Sequence, residues 1–176
     1  MNTLVRPSVE ADIPAIAAIY CHAVLHGTAS FETDPPDAVE IARRRGAITA
    51  EGYPYLVAER VGQVVGYAYV SAYRPRLAYR FSVENSIYVA PDLARGGIGR
   101  ALLTTLLARC EADGYRLMVA VIGDSANAGS IGLHRSLGFK NAGVLRNIGW
   151  KHGRWLDSVF MTRPLGAGAT VPPRRD

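Results

Sequence analysis

Cysteine is scarce in this chain, with Cys21 and Cys110 the two among 176 residues. Both fall in apolar helical patterns, where a free thiol behaves as a small hydrophobe, so unpaired thiols and a reducing, cytoplasmic compartment are expected. No stretch approaches the roughly 20 consecutive apolar residues of a membrane span, and the opening MNTLVRPSVEAD carries no apolar leader, so no membrane partner is expected. A dense Lys/Arg stripe interleaved with aromatics is also missing. The net charge is +5, part of it in Arg174 and Arg175. That balance fits an anionic ligand better than a nucleic-acid surface. No Gly-Lys-Ser/Thr occurs, which excludes a Walker loop. His22 and His26 stand at metal-binding spacing but lack a third ligand, so no metal is expected.

What is present is a compact, apolar chain with 49% hydrophobic and 20% charged residues, enough for one well-filled domain over residues 1–163. From Pro164 onward Gly, Ala and Pro dominate, which predicts a flexible tail over 164–176. Thr3 to Arg6 reads as a strand. Asp12 and Pro14 open a helix with Ile16, Ile19, Ala23 and Val24 on its apolar face, and HGTASFETDPPD ends it. A second helix is expected from about Pro36 to Ala50, capped by Asp34. YPYLVAER and VVGYAYVSAY read as a hairpin, followed by the basic loop RPRLAYR and the strand FSVENSIYVA. Ala101 to Asp113 has the broad leucine stripe of a core-facing helix. RLMVAVIG reads as a buried strand, and NAGSIGLHRSLG as a helix with Asn127 as cap and Gly138 as stop. FKNAGVLRNIGW and RWLDSVFMTR supply two last strands. The order predicts an α+β fold with a mixed, mostly antiparallel sheet of six to seven strands flanked by about four helices.

Three glycines, Gly96, Gly97 and Gly99, precede the leucine-rich helix in APDLARGGIGRALLTTLL. A tight strand-to-helix turn would use glycine for positive φ. An anion resting on bare backbone amides at a helix start would use it too. A dinucleotide fingerprint is disfavoured, because the preceding strand belongs to a meander and RLMVAVIG does not end on an acidic residue.

The element order together with YVAPDLARGGIG and NAGSIGLHRSLGF resembles the GNAT superfamily of acetyl-CoA-dependent N-acetyltransferases. TASFETDPPD, RPRLAYRFSVENSIYV, MVAVIG and WKHGRWLD are similar to its phosphinothricin and methionine sulfoximine N-acetyltransferase branch. The resemblance implies a GNAT fold and acetyl-CoA as cosubstrate. It implies a pyrophosphate cradle over Arg95, Gly96, Gly97, Ile98, Gly99 and Arg100, with Asn127 also on coenzyme A. The first polar slot of the family's loop motif is here Ala94. The backbone of Ile87, Tyr88 and Val89 is implied along the pantetheine arm, with Val89 N–H as oxyanion donor. Glu84, Asn85 and Ser86 are implied at the acceptor, beside Phe31, Arg74, Pro75, Arg76 and Tyr79. Paired guanidinium forks suit a carboxylate or phosphinate.

An ammonium cannot attack a thioester until a base removes a proton, and Glu84 is the carboxylate placed for it. His134 stands where the family presents a side chain to the thiolate, and would bind the acceptor or protonate that thiolate. The expected activity is direct acetyl transfer to the α-amine of a small amino-acid analogue, by a homodimer as is common in the superfamily. Another amine, such as a peptide N-terminus or polyamine, and a non-catalytic acyl-CoA binding module remain as alternatives.

Overall fold

The structure, a computed structural model, describes residues 3–93 and 96–173. Ala94 and Arg95, and with them one position of the expected cradle, lie outside the described residues. Seven strands form one sheet: β1 (Leu4–Pro7), β2 (Tyr55–Arg60), β3 (Gln63–Ala72), β4 (Ser82–Val89), β5 (Leu117–Gly123), β6 (Lys140–Lys151) and β7 (Arg154–Pro164). Their order is β1-β2-β3-β4-β5-β7-β6, antiparallel throughout except for the parallel β4–β5 pair. Four helices flank it: α1 (Ile13–His26), α2 (Ala38–Ala50), α3 (Ile98–Ala112) and α4 (Ala128–Ser136). The expected α+β architecture is therefore the observed one.

The pleat sorts the core by face. Leu56 and Ala58 of β2 join the leucines of α3 and Met118, Ala120 and Ile122 of β5 on one side. Tyr55 and Val57 pack with Ile16, Tyr20 and Val24 of α1, Ile41 of α2 and Tyr67 on the other. Helices thus cover both faces, which is why β2 and β3 read as nearly continuous apolar runs.

Several boundaries differ from expectation. The cap of α2 is Asp37, whose carboxylate accepts from Glu40 N at 2.8 Å, and the helix starts at Ala38. Asp34 is exposed, one turn too early to reach those amides. Helix α3 begins at Ile98, so Ile98, Gly99 and Arg100 are its first turn. Asn127 does cap α4, accepting from Ser130 N at 3.1 Å. The segment expected as a tail begins within the fold: β7 runs through Pro164, and Leu165 is fully buried with its N–H on Arg116 O at 2.9 Å. Cys21 and Cys110 are both free. No helix among the described residues is long and apolar enough to cross a membrane.

Candidate active site

Strand β4 pairs with β3 along its whole length but with β5 only from Ser82↔Leu117 to Asn85↔Ala120, beyond which the parallel ladder stops. Backbone groups along a strand point alternately to its two neighbours. The bonds Tyr73 N to Ser82 O at 3.3 Å and Ala90 N to Val65 O at 3.0 Å fix the phase, so even-numbered residues bond β3. Ile87 and Val89 therefore turn their main-chain groups toward the gap. A small cavity of about 50 Å³ occupies that gap, lined by Asn85, Ile87, Tyr88, Val121, Asn127, Ser130 and His134 among others.

A larger, open cavity of about 440 Å³ adjoins it. Glu84, Ser86 and Tyr88 reach it from one face of β4. The segment 29–32 and Val121, Gly123 and Ser158 complete its wall. Burial pushes the Glu84 carboxyl above its usual range, and the nearby Arg74 guanidinium partly offsets this. Phe31 is wedged in a slot made by two glycines: a Cβ at Gly149 would lie 2.5 Å from its ring, and one at Gly123 would lie 2.9 Å away. Lys151, although 5% exposed, ties the same segment down by donating to Gly27 O at 3.0 Å and Ser30 O at 2.7 Å.

Asn85 does not join Glu84 and Ser86 at this cavity. Period two sends it to the opposite face of β4, where it is buried. Its amide N–H donates to Val119 O at 3.0 Å and its Oδ1 lies 3.0 Å from His134 Nε2. His134 Nδ1 lies 2.8 Å from Ser130 O, so two oxygen acceptors flank one ring. A neutral imidazole has one N–H and satisfies one of them, whereas imidazolium satisfies both. Burial opposes the charged form and holds the His134 pKa below its usual value, with the Ser130 carbonyl pulling the other way.

At the start of α3 no side chain caps the helix, and its first internal bond is Ala101 N to Gly97 O at 3.0 Å. The amides of Ile98, Gly99 and Arg100 precede that bond, and a helix leaves such N–H groups free for an anion. Gly97 has φ of +80° and its absent Cβ would enter open space. Gly99 has a packing reason as well, because a Cβ there would lie 3.1 Å from Leu133 of α4. Arg60 donates to Gly96 O at 2.5 Å, and Arg100 to Ser136 Oγ at 2.8 Å.

The structure thus brings together Glu84, Ser86, Tyr88 and Phe31, and separately Ile87, Asn127 and His134. It leaves Arg74, Pro75, Arg76 and Tyr79 on the exposed β3–β4 loop, outside the lining of both cavities, with Arg74 stacked on Tyr73 at 4.9 Å. Sequence reasoning did not single out Ser30, Glu32, Lys151 or Ser158. HGTASFETDPPD reads as a helix break from its residues, with Phe31 alone implied at the acceptor by the resemblance, and a lysine in a strand reads as solvated. Nothing local marks Ser30 or Glu32 as a wall of the site, or Lys151 as the support behind it.

A sheet that parts beside an uncapped, glycine-led helix offers free amides to an anionic ligand and a gap for a long one. The Acetyltransferase (GNAT) family model matches residues 17–139, and the chain belongs to that family. It is an acetyl-CoA-dependent N-acetyltransferase. The chain is 54% identical over 169 residues to a phosphinothricin N-acetyltransferase of Alcaligenes faecalis, covering 96% of this chain and 86% of that protein. It is 42% identical over 173 residues to an L-methionine sulfoximine/L-methionine sulfone acetyltransferase of Pseudomonas paraeruginosa, covering 98% of this chain and all of the other. A crystal structure of a phosphinothricin acetyltransferase from Sinorhizobium meliloti in complex with AcCoA superposes with a TM-score of 0.96 at 50% identity, covering 99% of this chain and 95% of that one.

Proposed function

We propose that this enzyme acetylates the α-amine of a small anionic amino-acid analogue of the phosphinothricin or methionine sulfoximine type. The observation that carries this reading is the open cavity beside the β4–β5 gap, with a half-buried Glu84 on its wall. The α3 amides and Gly97 hold the pyrophosphate of acetyl-CoA, and Ile87 and Val89 face its pantetheine arm. Asn127 flanks that arm at the head of α4. Arg74 and Arg76 meet the acceptor's anionic groups from the loop above the cavity, with Pro75 and Tyr79 shaping its approach.

Glu84 takes a proton from the acceptor ammonium. Its raised pKa brings it nearer to the amine's and makes the carboxylate a stronger base than an exposed glutamate. The amine nitrogen forms its bond to the thioester carbonyl, and Val89 N–H stabilises the oxyanion that develops. The C–S bond then breaks. The second proton of the attacking nitrogen passes to the departing thiolate, with neutral His134 as the relay, a small contribution because a thiol titrates near pH 8.5.

The activity is assigned to a single domain that runs through Leu165, in the cytoplasm, where free thiols such as Cys21 persist. The working unit is proposed to be a homodimer. Support comes from the sheet-edge strand β6 and its partner β7, which leave Leu145, Ile148, Trp150 and Trp155 between 50% and 59% exposed. Turnover of acetyl-CoA against phosphinothricin, methionine sulfone, a polyamine and a peptide amine tests the acceptor. Saturation by a polyamine or peptide alone would overturn it.

A further inference from the structure

The larger cavity holds a second carboxylate. Glu32 lines it together with Glu84, and among the described residues no lysine or arginine does. Two bonds on one oxygen fix the Glu32 side chain: Tyr20 Oη donates to Oε1 at 3.0 Å and Arg44 Nη1 at 2.6 Å. The other oxygen, Oε2, meets only the outer end of the Arg44 fork at 3.5 Å. Arg44 also donates to Glu40 at 2.7 Å, so its charge is divided between two carboxylates. Tyr20 is itself anchored on Ser30 at 2.9 Å, and Lys151 anchors the segment from below.

The geometry points to Glu32 as a specificity-determining residue that receives the acceptor's ammonium group through Oε2 before Glu84 removes the proton. A carboxylate held rigidly, whose Arg44 partner bonds mainly to the other oxygen and is shared with Glu40, attracts a charged amine through its under-used oxygen and disfavours a neutral molecule of the same shape. Recognition and deprotonation are then split between two acids: Arg44 and Tyr20 hold Glu32 in place, while burial gives Glu84 the stronger basicity. The inference rests on the acceptor reading above and deepens it.

The test compares binding of L-methionine sulfone with binding of its des-amino acid, by calorimetry in the presence of coenzyme A. The parent should prefer the amine by tenfold or more, and Glu32→Gln should lose most of that preference while binding acetyl-CoA as the parent does. Arg44→Met is the deciding companion. It leaves the Glu32 charge less neutralised and should keep or strengthen the preference, whereas a residue that merely anchors its loop through Arg44 would be damaged equally by both substitutions. Equal loss in both variants, or an unchanged preference in Glu32→Gln, overturns the inference. A parent that turns over only polyamines or peptides instead overturns the acceptor reading, which the acceptor turnover panel detects separately.

Discussion

His134 Nε2 and Asn85 Oδ1 stand 3.0 Å apart at the last rung of the β4–β5 ladder, joining α4 to β4 where the two strands part. The pair pins the cofactor-facing helix to the strand that carries Glu84, and Asn85 in turn is fixed by Val119 O. Asn85→Leu keeps the shape but strips partners from a buried ring and a buried carbonyl. It should cost about 2–4 kcal/mol of stability, since each orphaned polar group is worth about 1–3 kcal/mol. Chemical denaturation measures this. Asn85→Asp should raise the His134 pKa by placing a charge beside the imidazolium, read by NMR titration of the ring.

Glu84→Gln should lower kcat on the order of a hundredfold or more, with acetyl-CoA affinity retained, because general-base catalysis is worth about that much. Its effect on stability has the opposite sign. A carboxyl whose folded pKa is raised favours the folded state below its unfolded pKa and loses that contribution as pH rises through the folded value. At neutral pH the parent therefore carries a buried charge that glutamine removes, and Tm should rise. A fall in both kcat and Tm would point to a structural residue.

Arg74 lowers the Glu84 pKa through space. Arg74→Ala should shift the acid limb of the kcat/KM profile to higher pH, and added salt in the parent should shift it the same way, because Arg74 is exposed and its field is screened. Arg74→Ala and Arg76→Ala should each raise acceptor KM about tenfold to a hundredfold, the range of one charge-assisted hydrogen bond.

Gly97 and Gly62 both have positive φ, +80° and +75°, and a Cβ at either meets open space. Alanine at each should cost a similar amount, about 1–2 kcal/mol for an L-residue forced left-handed. Only Gly97→Ala should weaken acetyl-CoA binding, by several-fold, since only its Cβ would stand before the α3 amides. Calorimetry on the two variants separates backbone strain from ligand contact.

Lys151→Met removes a buried ammonium from Gly27 O and Ser30 O and should destabilise the protein by about 2–4 kcal/mol. Acceptor KM should rise with it, because Phe31 and Glu32 ride on the freed segment. Acetyl-CoA affinity should hold, as the sites proposed for it are on α3, α4 and the β4–β5 gap.

The sequence by itself determined the order of the elements and marked the glycine-led start of α3 as a place for an anion. Period two in FSVENSIYV, helical period in ALLTTLLARC and the glycines before it are local signals, and backbone sterics read them the same way in any context. Only the tertiary structure decided which face of β4 opens on the larger cavity. It turned Asn85 away to hold His134, brought Ser30 and Glu32 to the cavity that Glu84 lines, and set Lys151 behind them as a support. Such roles have no local signature: a carboxylate in a loop becomes a binding group only when the ladder between β4 and β5 stops and the chain folds a wall around the opening.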